Sequence, residues 1–193
     1  MANKVKFGLK NAHYASLTFG EGGTPTFGTP VPIPGSVNLS LSRASEAEDF
    51  YADDGIYYEG DDNSELEGEL ELALIPEDFH TAHLGESKDS NGVLNTPGFV
   101  ERAPFALLFE FTGDKNAIRH VLYNCTASQN EIAGQTKQQN RQVQTETLNL
   151  RARLLPAIGK VKARTGDTTT ASVYENWYDS VYQSPAAPQG SDN

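Results

Sequence analysis

The chain has 193 residues, a net charge of −11 at pH 7 and a pI near 4.7, with 37% apolar and 9% aromatic residues. That length suits one domain of ordinary size, and the apolar share supports a core and excludes a disordered protein. The acidic balance argues against holding nucleic acid or an anionic membrane by counter-charge, because such partners need a basic footprint. The charge is also segregated. No Lys or Arg lies between Arg43 and Lys88, where more than half of the 26 acidic residues fall. Lys137, Arg141, Arg151, Arg153, Lys160, Lys162 and Arg164 then form a basic block interrupted only by Glu146. The two blocks either pair within the fold or join one copy to the next. With Cys125 as the single cysteine, no internal disulfide forms, which fits a reducing compartment. The opening residues carry no apolar signal core, and no run reaches transmembrane length.

In chain order, residues 4–10 alternate Lys4, Lys6, Gly8 and Lys10 with Val5, Phe7 and Leu9, the pattern of a half-exposed strand. Asn11 and Ala12 are expected to interrupt it before a second run from His13 to Phe19. Gly20 to Pro25 punctuates strongly enough for a loop or hairpin tip. Pro30, Pro32 and Pro34 restrict the next stretch to an edge or crossover, since proline removes ladder donors. Ser36–Ser42 predicts a strand with Val37, Leu39 and Leu41 inward. Aromatic residues around Asp53-Asp54-Gly55 predict a hairpin over Phe50–Glu59.

Ser64 to Pro76 is the most regular stretch. Glu65, Glu67, Glu69 and Glu71 alternate with Leu66, Gly68, Leu70 and Leu72, so one face is wet and the other packed. The four carboxylates stand roughly 7 Å apart along the strand and repel one another unless water or cations surround them. They form either an ordinary solvated face or an acidic wall to which a polyanion will not stick. From Ala73 to Ile75 both faces turn apolar, which predicts that the strand end enters a core. Pro76 is expected at the first position of a two-turn helix, with Phe79 and Ala82 inward and Gly85 just past its end.

Residues 86–103 are polar and predict a long loop. Pro104–Phe111 and Ala117–Thr126 predict a hairpin whose Phe105, Leu107, Phe109 and Phe111 share the densest apolar face. Arg141–Leu155 predicts a long strand with Leu148, Leu150 and Leu154 on one side and Asn149, Arg151 and Arg153 opposite. After a linker at 166–170, Val173, Tyr174, Trp177, Tyr178, Val181 and Tyr182 follow helical spacing, with Ser172 and Glu175 in capping-box register. This aromatic face docks on its own domain or on a neighbour. Residues from Pro185 onward are expected to be disordered. The domain spans 1–165, and 166–193 holds the linker, the short amphipathic helix and that end.

Catalytic templates fail on spacing. His80, His83 and Asp78 could share a helix turn, but no third metal ligand is indicated. Asp61 to Glu65 resembles a calcium loop until Leu66 occupies the position where the turn requires glycine. Gly20–Gly23 lacks the Lys-Ser/Thr and helix of a phosphate loop. Cys125 in an apolar strand suits filling better than nucleophilic attack. No catalytic, cofactor or metal residue is assigned.

Asn3–Asn11, Phe50–Gly55, Glu71–Pro76, Phe105–Phe111, His120–Ala127 and Val143–Leu148 cover, in that order, most of 2–182. Taken together they resemble the same segments, in the same order, of the major tail (tail tube) proteins of long-tailed phages of Gram-positive bacteria. Residues 44–49, 59–65 and 134–142 depart from the family pattern. The resemblance implies a mainly β, sandwich or partial-barrel fold with one flanking helix and a short C-terminal helix. It implies homo-hexameric rings whose inner sheets join across subunits into a barrel, stacked into a tube that DNA traverses without specific binding. Implied partners are further copies and the tape-measure, tail-terminator and distal-tail proteins, with no membrane and no cofactor. The implied location is the virion tail, assembled in the host cytoplasm. On that reading Glu65, Glu67, Glu69 and Glu71 face the lumen. Arg151, Arg153, Tyr174, Trp177 and Tyr178 are candidate inter-subunit residues. Two other classes stay open: a carbohydrate-binding or adhesion β-sandwich, with aromatics lining a groove, and a small hydrolase using the glutamates.

Overall fold

The computed structural model describes residues 3–44, 48–52, 55–60, 64–129 and 143–185, with backbone alone for 48–52 and 55–60. The strands are β1 (Lys6–Phe19), β2 (Pro25–Phe27), β3 (Val31–Pro32), β4 (Ser36–Arg43), β5 (Glu48–Ala52), β6 (Gly55–Gly60) and β7 (Glu65–Leu72). Helix α1 (Glu77–His83) follows, then β8 (Ser87–Lys88), β9 (Leu94–Asn95), β10 (Phe105–Gly113), β11 (Ile118–Ser128), β12 (Glu146–Arg153) and β13 (Lys162–Arg164). The last helix, α2 (Ala171–Glu175), runs into a 3-10 turn at Asn176–Tyr178.

One nine-stranded sheet carries the fold in the order β2-β1-β10-β11-β12-β7-β4, with β3 on β1 and β13 on β11. Its named pairings are antiparallel. The sheet curls until β4 lies against β1 without a ladder between them, giving a partial barrel. Gly68 sits where β4 crosses β7, and a Cβ there would run into the Ser40 carbonyl and the Leu41 backbone. Glycine in a strand interior is expected at such a bend.

Alternation sorts the side chains onto two faces. Inside the curl, Phe105, Leu107 and Phe109 of β10 meet Leu66, Leu70 and Leu72 of β7 and Leu148, Leu150 and Ala152 of β12. On the other face Ala106 and Leu108 of β10 and Val121 and Tyr123 of β11 meet Leu155, Trp177 and Val181. Strand β10 is therefore buried on both sides, as its near-continuous apolar run requires. Cys125 is fully buried as filling, and burial pushes its thiol pKa up to about 12.

Several local expectations change. β1 is one strand of 14 residues. The break expected at Asn11 is a bulge, with Asn11 at φ 51° and a register shift between Lys10 and His13. A second shift between Ser36 and Asn38 turns Val37 outward. The β7 ladder ends at Leu72, leaving Ala73 and Leu74 exposed, so that of the stretch expected to enter a core only Ile75 does. Pro76 is extended and caps α1 from outside the helix. His83 is the inward partner of Phe79 at i+4, and Ala82 is exposed. Gly85 does follow the helix, at φ +77°. Residues 86–103 contain the small β8–β9 hairpin. β12 runs only from Glu146 to Arg153, shorter than the strand expected over Arg141–Leu155: residues 143–145 lie before it without strand pairing, and 141–142 fall outside the described residues. Past its end, Leu154 faces out and Leu155 enters the second core. Thr170 precedes α2 without a side-chain cap bond, so the expected Ser172–Glu175 box does not form. The Asp53-Asp54 turn, Asp61–Asn63, the loop at 130–142 and residues 186–193 also lie outside the described residues.

Candidate functional site

The polar face of β4, β7 and β12 is a regular surface left by this packing. Register places Glu65 beside Arg153, Glu67 between Arg151 and Ser42, Glu69 between Asn149 and Ser40, and Glu71 between Thr147 and Asn38. Period two sends Leu66, Leu70 and Leu72 into the core and the four carboxylates to the other side. The row is graded along its length. Arg151 donates from Nε to Glu65 at 3.0 Å and also pairs with Glu67, and Arg153 reaches Glu65 at 3.1 Å. Glu71 accepts a 2.6 Å bond from the Thr145 hydroxyl. Neither register neighbour of Glu69 is charged. The acidic row is thus offset by arginine at the Glu65 end, whereas the register neighbours of Glu69 and Glu71 are uncharged.

Beside this face lies an open depression of about 660 Å³. Glu67, Glu69, Arg102, Asn149, Arg151 and Arg153 help to line it, and no aromatic ring does. Its groups offer hydrogen bonds and charge but no hydroxyl or thiol nucleophile beside a histidine. Among the described residues no group of three or more His, Cys, Asp or Glu is placed to hold a metal ion. His83 is structural: Nδ1 donates to the Ala103 carbonyl at 3.0 Å, leaving Nε2 to accept from the Ser16 hydroxyl at 3.2 Å. Burial lowers its pKa, in keeping with a neutral ring.

The aromatic end of the chain lies on its own sheet. Trp177 is 2% exposed and donates Nε1–H to the His120 carbonyl at 3.4 Å. Tyr174 donates its hydroxyl to the Ala117 carbonyl at 3.1 Å, and its ring covers the Arg119 guanidinium at 3.9 Å. Tyr178 donates to Glu110 at 3.3 Å; burial first, then that carboxylate, raises its phenol pKa. Tyr174 and Tyr178 keep partly exposed edges, and Arg151 and Arg153 are about half exposed.

Sequence reasoning missed the group on which this end converges. Glu110 is 6% exposed and accepts from Asn11 Nδ2 at 2.7 Å and Arg119 Nε at 3.1 Å, besides Tyr178. Arg119 also donates to the Tyr174 carbonyl. The available signal was a lone glutamate inside Phe105–Phe111, set opposite an arginine across the hairpin.

The described residues form a β-structured subunit with two packed cores and a regular charged face on β4, β7 and β12. The sequence model of one family, described as "Phage tail tube protein", matches residues 2–108. The chain belongs to that family, a family of structural tail proteins and not of enzymes. No curated protein matches the sequence. Membership makes the chain a component of the virion tail that assembles with itself and with other tail proteins. No helix among the described residues is long and apolar enough to cross a membrane.

Proposed function

We propose that six copies close into a ring and that rings stack into a hollow tube through which DNA leaves the particle. The observation that carries this reading is the row Glu65, Glu67, Glu69 and Glu71 on an exposed sheet face in a tail tube chain. Turned to the bore, the row repeats around the channel as bands of negative charge. Phosphate affinity comes from Lys and Arg, so such a wall lets DNA slide without being held. Arg151 and Arg153 soften the repulsion at one end of the row and remain reachable by a neighbouring copy.

β4 ends the hydrogen-bonded order of the sheet, and an unpaired edge invites another strand. A neighbour's edge joined there would continue the sheet across subunits into the inner barrel. Tyr174 and Tyr178 offer their partly exposed edges to an adjacent subunit, while Trp177 anchors the segment in its own core. Assembly takes place in the cytoplasm of a Gram-positive host, with tape-measure, terminator and distal-tail proteins as the other partners.

Negative-stain microscopy of the purified protein tests the assembly; monodisperse globules at high concentration and physiological salt count against it. Glu69→Lys with Glu71→Lys tests the lumen. Tubes should form normally, and DNA ejection should slow, more so at low salt where screening is weak. Normal ejection by this variant at low salt makes the row an ordinary solvated face.

A further inference from the structure

The two ends of the partial barrel differ in charge and in the apolar side chains they leave in water. At one end β1 starts beside the close of β10 and the start of β11, with Lys6 opposite Gly113 and Phe111 opposite Ile118. β13 joins there, placing Arg164 opposite His120 and Lys162 opposite Leu122. Lys6, Lys162 and Arg164 are exposed. The Lys6 ammonium lies 4.7 Å from the Phe111 ring centre, and His120 stacks on Phe109 at 5.0 Å. Burial first, then the charges of Arg164, Lys6 and Lys162, lower the His120 pKa to about 4. Val5 and Phe7 on the same strand start are 50% and 60% exposed.

At the opposite end β7 stops, β4 and β12 begin, and α1 follows. Leu74 is 67% and Val143 82% exposed. Glu77 and Asp78 stand exposed in the first turn of α1. Lys88 meets Glu77 at 2.5 Å, so the net charge of this turn rests with Asp78, with Glu71 at the adjoining strand end.

Single exposed apolar residues are ordinary. Here two stand at each end, beside cations at one and carboxylates at the other. Both ends belong to one sheet, so they cannot meet within a chain. We propose that the Lys6–Lys162–Arg164 end of one copy docks on the Leu74–Glu77–Asp78 end of a second copy, as the contact between successive rings. This rests on the tail-tube reading above. Such a contact joins two different patches, so it repeats without closing and lengthens the tube one ring at a time. Apolar side chains leave water on both sides, and opposite charges set orientation and speed encounter.

A charge swap tests it in the full-length chain. One variant carries Lys6→Glu and Arg164→Glu, the other Glu77→Lys and Asp78→Lys, each checked for wild-type far-UV signal and melting. In about 50 mM salt, where screening is modest, each variant alone should form rings and lose stacking roughly tenfold. An equal mixture should recover tubes, because each end again meets its opposite. Unimpaired stacking by either folded variant, or a mixture no better than its parts, overturns the contact. Loss of rings with stacking retained makes the patches lateral and overturns it too. Wild-type protein that forms neither rings nor tubes overturns the tail-tube reading itself; wild type that assembles while the swapped pair fails to complement overturns only this contact.

Discussion

Two glutamate–arginine groups sit on the same sheet and do different work. Glu110–Arg119 lies between β10, β11 and the C-terminal segment, with side chains 8% and 18% exposed. Glu65, Glu67, Arg151 and Arg153 lie on the open face of β7 and β12, with side chains 27% to 51% exposed. The buried group is furnished on every side by Asn11, Tyr174 and Tyr178, because a buried charge without partners costs too much to keep. The exposed group trades water for ion pairs at little net gain. The first therefore governs folding, and the second sets the charge carried by the open face.

The sharpest way to break the comparison is Arg119→Ala. It strands Glu110 in a low-dielectric site and releases the Tyr174 ring and carbonyl. A loss of about 3–5 kcal/mol is expected, read by urea unfolding. Glu110→Gln in the same chain should restore part of it, and a loss below about 1 kcal/mol would erase the difference between the groups. Gly68→Ala is next, at about 3 kcal/mol or more, because the new methyl meets β4 backbone, which cannot swing aside. Wild-type stability for this variant would mean that β4 and β7 separate without cost.

A smaller effect follows from pH. His120 is held neutral to about 4, whereas in the unfolded chain it takes a proton near its ordinary 6.5. Stability from this group is therefore fully present above pH 6.5 and is lost as pH falls to about 4, by about 1–3 kcal/mol; His83 shifts in the same direction. A histidine ring signal titrating near 6.5 at position 120 would refute this. Arg151→Ala should move stability least, by less than about 1 kcal/mol. It removes one cation from the face, so on the proposed lumen reading its effect belongs in the salt dependence of DNA ejection. A stability loss as large as that of Arg119→Ala would show that the exposed group is structural after all.

Period-two patterning was enough to place Leu66, Leu70 and Leu72 inside and the glutamates outside, because it depends only on which way successive side chains point along a single element. The helix expected over Ser172–Tyr182 instead ends at Glu175, with Trp177 in a 3-10 turn and Val181 beyond it, and both residues still reach the core. The family, too, was legible in the order of short segments. The bulges at Asn11 and Val37, the exposure of Leu74 and Leu154 and the burial of His83 were decided elsewhere. They depend on where a partner strand ends its ladder, or on which residue a neighbouring element leaves room for, and neither is written in the segment itself. The pairing of Arg151 and Arg153 with Glu65 and Glu67, and of Arg119 with Glu110, belongs to this second kind. Only the fold set those strands side by side in a definite register, and register is what turns a list of charges into one buried group and one graded face.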